Sequence, residues 1–435
     1  MRPLDRCGEP GYALSLLSMD TVWVAWARGT QPARRAHGFR PSRRRAAAWY
    51  GGFAVYAAAV AIFTGQLDRV WAAWAVGAYV IAALALWFGR TWMMPLLVAL
   101  GGALAAPTAW LATHGQRLPA EVTVIRQAAV QVLKHGTPYL PVSQLTDWRS
   151  YNPYLPVMEI FGLPRAAGLL GLAGDPRVWL TLFTMALLAL AFGILASDNP
   201  LRCGECRADV ARCTVLATAS PIIAFPLTLG ITDPPVIALV CVALACAARG
   251  WLLRAGLALG VACAMKATAW PAVPLLAIMI FARYTPRIAA QFTSIAVVFT
   301  GGLALLAAPE AMAAPNAVLQ NTVAFPLGLA KHKTPAASPL PGHMLAELGT
   351  GGHLVAMGLM LATALGFAIW LSIRPPRDVR SVAWRLALGY AIVFALAPAT
   401  RWGYFAYPLG LVGWLLLTPG EPAMEPDPQE ALAPA

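Results

Sequence analysis

The chain is predicted to be an all-α polytopic membrane protein on three observations: the balance of apolar to charged residues, the recurrence of apolar runs of spanning length, and the arginines between those runs. Of 435 residues, 59% are hydrophobic and only 12% are charged. A soluble domain needs a charged surface, so this balance points to lipid as the main solvent. Interfacial aromatics and Pro-interrupted helices are usual in membranes, and the 16 Trp and 36 Pro agree with that. A net charge of +13 would suit nucleic acid, but the charges sit between apolar spans, which assigns them to topology and lipid-surface contact.

Residues 1–47 read as a basic cytoplasmic tail, with Arg28, Arg34, Arg35, Arg40, Arg43, Arg44 and Arg45 crowded into it. Its one apolar stretch, Tyr12 to Ala27, is broken by Asp20, and the apolar run behind the arginines is followed by many more, which reads as a retained first helix and not a signal peptide. Apolar runs of about helix-spanning length then recur at 48–64, 70–89, 93–113, 176–196, 213–229, 234–248, 250–265, 268–282, 288–307, 353–373, 382–398 and 404–418. This predicts about 12 transmembrane helices, several of them short enough to need tilt or bilayer thinning. Residues 419–435 read as a disordered C-terminal tail.

Most lysines and arginines fall on the cytoplasmic side if both termini are inside, among them Arg90, Arg202, Arg207, Arg212, Arg249, Arg254, Arg283, Arg287, Arg374, Arg377, Arg380 and Arg385. That parity makes 154–173 an interfacial or re-entrant helix on the outer face, as do Glu159, Pro164 and Arg165 within it. It also leaves two long outer loops, 114–153 and 308–352. In the first, EVTVIRQAAVQVLK puts Val122, Ile125, Ala129, Val132 and Leu133 on one helical face, with Gln127, Gln131 and Lys134 opposite. The pattern predicts an amphipathic helix lying on the outer membrane surface.

The seven cysteines include Cys203-Gly-Glu-Cys206 and nearby Cys213, but a structural zinc site needs four ligands and no His is close. Cys241, Cys246 and Cys263 lie in apolar runs, where Cys acts as a small hydrophobe.

On this map the outer face collects Glu121, Arg126, His135, Asp147, Arg149, Tyr151, Asp233, Lys266, Lys331, His332, Lys333, His343 and Arg401. Each has a structural reading beside a functional one. Glu121 follows Pro119 at a helix start, where the helix dipole favours an acid. Asp233 precedes Pro234 and suits an N-cap. Lys266 is flanked by apolar residues and needs either a polar cavity or a route to the interface. Lys331, Lys333 and Arg401 suit a phosphate as well as they suit solvent or headgroups.

The ordered series of an acid, Arg126-Gln-Ala-Ala, Gly136-Thr-Pro-Tyr139 and Tyr151-Asn-Pro-Tyr154-Leu-Pro resembles the polyprenol-phosphate-mannose-dependent mannosyltransferases of glycosyltransferase family 87, in the GT-C superfamily. The likeness continues through Gly230-Ile-Thr-Asp233, Ala255-Gly-Leu-Ala-Leu-Gly260, Met265-Lys266-Ala-Thr-Ala-Trp270-Pro and FPLGLAKHKTPAASPLPGH, Phe325 to His343. It covers roughly residues 95 to 418, so that 48–92 would be additional N-terminal helices before a GT-C-like membrane domain over 93–418.

The resemblance implies an inverting hexosyltransferase, with mannose as the expected hexose, at the extracytoplasmic face of the plasma membrane. The donor would be a polyprenyl-phosphate sugar and the acceptor a cell-envelope glycan or glycolipid. Glu121, at a position where the family usually carries Asp, would be the catalytic base. Lys266, Lys331, Lys333 and Arg401 would hold the donor phosphate; Arg126, Tyr139, Tyr151, Asp233, His332 and His343 would bind substrate. No cofactor or metal is implied, there being no DxD triplet and no His cluster. The rival expectations are a transporter or flippase of lipid-linked sugars, or a non-catalytic membrane scaffold.

Overall fold

The computed structural model describes residues 42–114, 118–196 and 204–418. Among these the architecture is all helix and loop, with a single isolated parallel bridge between Ala337 and Thr400. The basic tail up to residue 41 and the C-terminal tail from 419 lie outside the described residues, as does Cys203.

Among the described residues, seven helices are long and apolar enough to cross a membrane: α1 (Arg43–Phe63), α2 (Gln66–Phe88), α3 (Met93–His114), α5 (Pro176–Ala196), α11 (Pro286–Ala307), α12 (Thr350–Ile373) and α13 (Val379–Leu396). Between α3 and α5, Ala120–His135 forms α4. A bent pair, α6 (Gly204–Thr218) and α7 (Pro221–Leu229), turns by 61° and makes an eighth candidate. The shorter apolar helices are α8 (Asp233–Ala248), α9 (Leu252–Met265), α10 (Ala272–Arg283) and α14 (Ala406–Leu417). Each apolar run read from the sequence is helical, but 213–229 is broken into two bent helices and several runs are shorter than a span.

The helical hairpin of α1 and α2 begins four residues before the tail was expected to end. Ser42 caps the Arg45 amide, and the Arg43 guanidinium donates to the carbonyls of Ala85, Leu86 and Gly89 at the far end of α2. A cation there satisfies carbonyls that a helix C-terminus leaves unpaired. The hairpin packs into the common core: Trp71 Nε1 donates to Ala103 O at 2.8 Å and the Tyr79 hydroxyl to Ala219 O at 2.6 Å.

At the centre, every residue of α8 from Asp233 to Ala247 is buried, as expected of a helix apolar on all sides. Cys241, Cys246 and Cys263 are buried in this core. Helix α4 buries Val122, Ile125, Ala128 and Ala129 against the protein, while Leu133, expected on the same face, is 60% exposed. The segment 154–173 is no single helix. It is a 3-10 run Pro156–Phe161, a short turn Leu163–Ala166 and a second 3-10 turn Gly171–Gly174, with left-handed Gly168 and Gly171 breaking the path.

Candidate functional site

Two of the shorter apolar helices end together. Helix α8 has 16 residues and α9 has 14, about 24 and 21 Å at 1.5 Å per residue. Each falls short of a hydrocarbon core of about 30 Å and would span only a thinned one, so a charged group at their shared end needs protein partners. The N-terminus of α8 supplies Asp233 and the C-cap of α9 supplies Lys266, whose extended backbone ends the helix. The Lys266 ammonium donates to the Asp233 carboxylate and, at 3.2 Å, to the Thr232 hydroxyl. Asp233 makes no capping bond to its own helix, and Lys266 does not reach for the surface, so the structural readings of both give way to an ion pair.

A second pair lies alongside. Arg401, just before α14, donates from Nη1 to Glu121 Oε1 at 2.6 Å, 280 residues away in sequence. Burial works against the Arg401 charge, and the Glu121 carboxylate more than offsets it, so the guanidinium is held above its usual range. Glu121 also occupies the first turn of α4, so the helix-start role and the ion pair coexist.

Two tyrosines join the pairs. The Lys266 ammonium stands 5.4 Å from the Tyr154 ring centre and 5.9 Å from that of Tyr404, within cation–π range. Burial first, and then the Glu121 charge, push the Tyr154 hydroxyl well above its usual value, with Asp233 adding to the effect. Tyr154 is held in place because the following Leu155 amide donates to Met265 O at 3.0 Å, and the Tyr139 hydroxyl donates to Tyr154 O at 2.9 Å. Tyr154 and Tyr404 are not marked out as site residues by the sequence, although Tyr154 ends Tyr151-Asn-Pro-Tyr154 and Tyr404 follows Arg401 by three residues.

The other expected site residues form adjoining layers. Tyr151 stacks on Phe325 at 4.4 Å, with His332 edge-on to it at 6.3 Å. His343 Nδ1 lies 2.8 Å from Pro398 O, and its Nε2 lies 3.3 Å from Glu347. The second loop reaches Arg401 through backbone: Thr400 N donates to Ala336 O and Ser338 N to Thr400 O. Lys331 and Lys333 are exposed and make no ion pair among the described residues.

Two buried networks support the site, and sequence reasoning assigned neither. Asp175 accepts two bonds from the Arg177 guanidinium, at 2.9 and 2.8 Å, and a third from Arg126 at 3.1 Å. Burial opposes its charge, but the Arg177 bonds win and hold the carboxyl below the usual range. The available signal was Asp175-Pro176-Arg177 at a helix start, the same Asp-Pro pattern as Asp233-Pro234. Glu159 is 2% exposed and accepts from Asn152 Nδ2 at 2.8 Å, while Asn152 N donates to Asn321 of the second loop at 2.7 Å. Burial pushes the Glu159 carboxyl well above its usual range, against the Asn152 bond.

The fold and the site define a helical membrane-embedded protein with two paired acids and bases gathered at one end. No family model matches the chain, and neither a curated protein nor a solved structure does. The described residues contain no cluster of His, Cys, Asp and Glu able to hold a metal ion.

Proposed function

We propose that this protein is a membrane glycosyltransferase that moves a hexose, mannose by resemblance, from a polyprenyl-phosphate carrier to an extracytoplasmic glycan or lipid acceptor. The observation that carries the reading is the meeting of Glu121, Asp233, Lys266 and Arg401, four distant charged residues, around Tyr154 and Tyr404. A phosphate-linked donor needs cations for the phosphate and the acceptor needs a carboxylate for its proton, and both are here. The full reading takes the short helices as spans too, giving about twelve, with the site facing outward and both termini inside.

The chemistry is a displacement. The acceptor hydroxyl oxygen bonds to the sugar C1 as the bond from C1 to the phosphate oxygen breaks. That electron pair leaves on polyprenyl phosphate, and the hydroxyl proton passes to Glu121. Arg401 donates to Glu121 Oε1. Donor phosphate that draws Arg401 to itself releases the carboxylate, so donor binding readies the base. Asp233 holds Lys266 toward the same phosphate and offers its second oxygen to a sugar hydroxyl. Tyr139 and Tyr151, both buried, act by bracing Tyr154 and the loops.

Purified protein offered polyprenyl-phosphate-mannose and envelope glycans is expected to release polyprenyl phosphate. Glu121→Gln is expected to lower turnover about 100-fold or more while donor binding persists. Near-normal transfer in that variant, with loss in Asp233→Asn, would move the base to Asp233. A second reading, a flippase or transporter of lipid-linked sugars, is favoured by one observation, the 61° break between α6 and α7, since broken helices are common in transporters. Movement of labelled donor across vesicles without sugar release would establish it.

A further inference from the structure

The Asp175 network carries more positive charge than it needs. Arg126, Arg165 and Arg177 all act on one another there, and Asp175 is the single acid among them. Arg177 is 1% exposed and fully engaged with Asp175. Arg126 gives Asp175 one bond, and its Nε has no partner. Arg165 is exposed and reaches only the Leu169 carbonyl, at 3.5 Å. The exposed Arg165 and the 23%-exposed side chain of Arg126 therefore present positive charge at the surface, with Asp175 shared between Arg126 and Arg177.

Directly beside them the chain turns outward with large apolar side chains. Leu169 is 46% exposed, Leu170 73% and Leu172 43%, with Ile160 at 55% close by in sequence. Left-handed Gly168 and Gly171 shape this turn, and Trp179, at the first turn of α5, donates to Ala173 O at 2.8 Å. Leucines exposed to this degree are costly in water, at about 25 cal/mol for each Å². They are stable where acyl chains cover them, and an arginine next to such a wedge stands at headgroup depth.

We infer that Arg126 and Arg165 form a binding site for the phosphodiester of an anionic phospholipid, with the Leu169–Leu170–Leu172 turn embedded among its acyl chains. The phosphate group is the shared chemistry of a lipid headgroup and of free phosphate; the adjacent leucine wedge selects the lipid. Asp175 and Arg177 position Arg126, and through α4 a bound lipid steadies the helix that carries Glu121. The inference needs only membrane insertion and does not depend on sugar transfer, so a negative transfer assay leaves it standing.

Native mass spectrometry of the full chain released from detergent, titrated with phosphatidylglycerol, phosphatidylcholine or inorganic phosphate, tests it. Phosphatidylglycerol is expected to be retained in preference to phosphatidylcholine, and millimolar phosphate should not displace it. Arg165→Gln is expected to weaken retention about fivefold and Arg165→Glu about thirtyfold, as one and two charges at a headgroup would. Leu170→Ser should weaken it without changing the preference for the anionic lipid. Because Arg126→Gln disturbs a buried network, the exposed Arg165 carries the test. Equal retention of the two lipids, or unchanged retention in Arg165→Glu, overturns the site. Displacement by free phosphate overturns the lipid assignment.

Discussion

At the scale of single residues, the pairs decide what each charge can do. Lys266 and Asp233 are nearly buried, with side chains 13% and 2% exposed, so removing one partner leaves the other uncompensated. Lys266→Met is expected to destabilise the protein by about 3 kcal/mol or more. The double change with Asp233→Asn should recover much of that, read as the detergent melting temperature. Glu159 gives a pH test. Its folded-state pKa is raised, so its contribution is most favourable below the free-acid value of about 4.3 and is lost as pH rises toward the folded value. Glu159→Gln should therefore flatten the fall in melting temperature as pH rises above the free-acid value of about 4.3. An unchanged slope would mean the carboxyl is charged when folded.

At the scale of elements, close approach between backbone and side chains sets how α4 presents Glu121. Gly230, φ 77°, ends α7, and a Cβ there would come within 2.3 Å of Val122 Cγ2 and 3.0 Å of Arg177 Cγ. Gly230→Ala combines a left-handed backbone with overpacking and is expected to cost about 2 to 4 kcal/mol. Gly168, φ 94°, has open space around its Cβ position, so Gly168→Ala meets the backbone strain alone and should cost about 1 kcal/mol. Equal losses in thermal stability would show that α4 does not depend on the tight contact.

At the scale of the whole molecule, α12 separates two regions whose sidedness defines the topology. Its 24 residues span about 36 Å, so the 331–342 loop and Arg377 lie at opposite ends of it. A cysteine placed in the 331–342 loop is expected to label with a membrane-impermeant maleimide from outside intact cells. One placed at Arg377 should label only after permeabilisation, and labelling of both from one side would reject the arrangement.

The amino-acid sequence by itself determined the membrane class, the approximate position of most apolar helices, though not the break at 219–220 or the start of α6 at Gly204, and the short list of charges from which the site is made. These are local properties: hydropathy and charge are carried by residues next to one another. Helix α4 was legible for the same reason, through the spacing of Val122, Ile125 and Ala129. Only the tertiary structure decided that Glu121 faces Arg401 and that Asp233 holds Lys266 instead of capping its helix. It also decided that Lys331 and Lys333 are exposed and form no ion pair among the described residues, and that Asp175 and Glu159 are buried supports. Each of these depends on which helix ends meet, and in a bundle that is set by packing between segments far apart in the chain, of which no single segment holds a record.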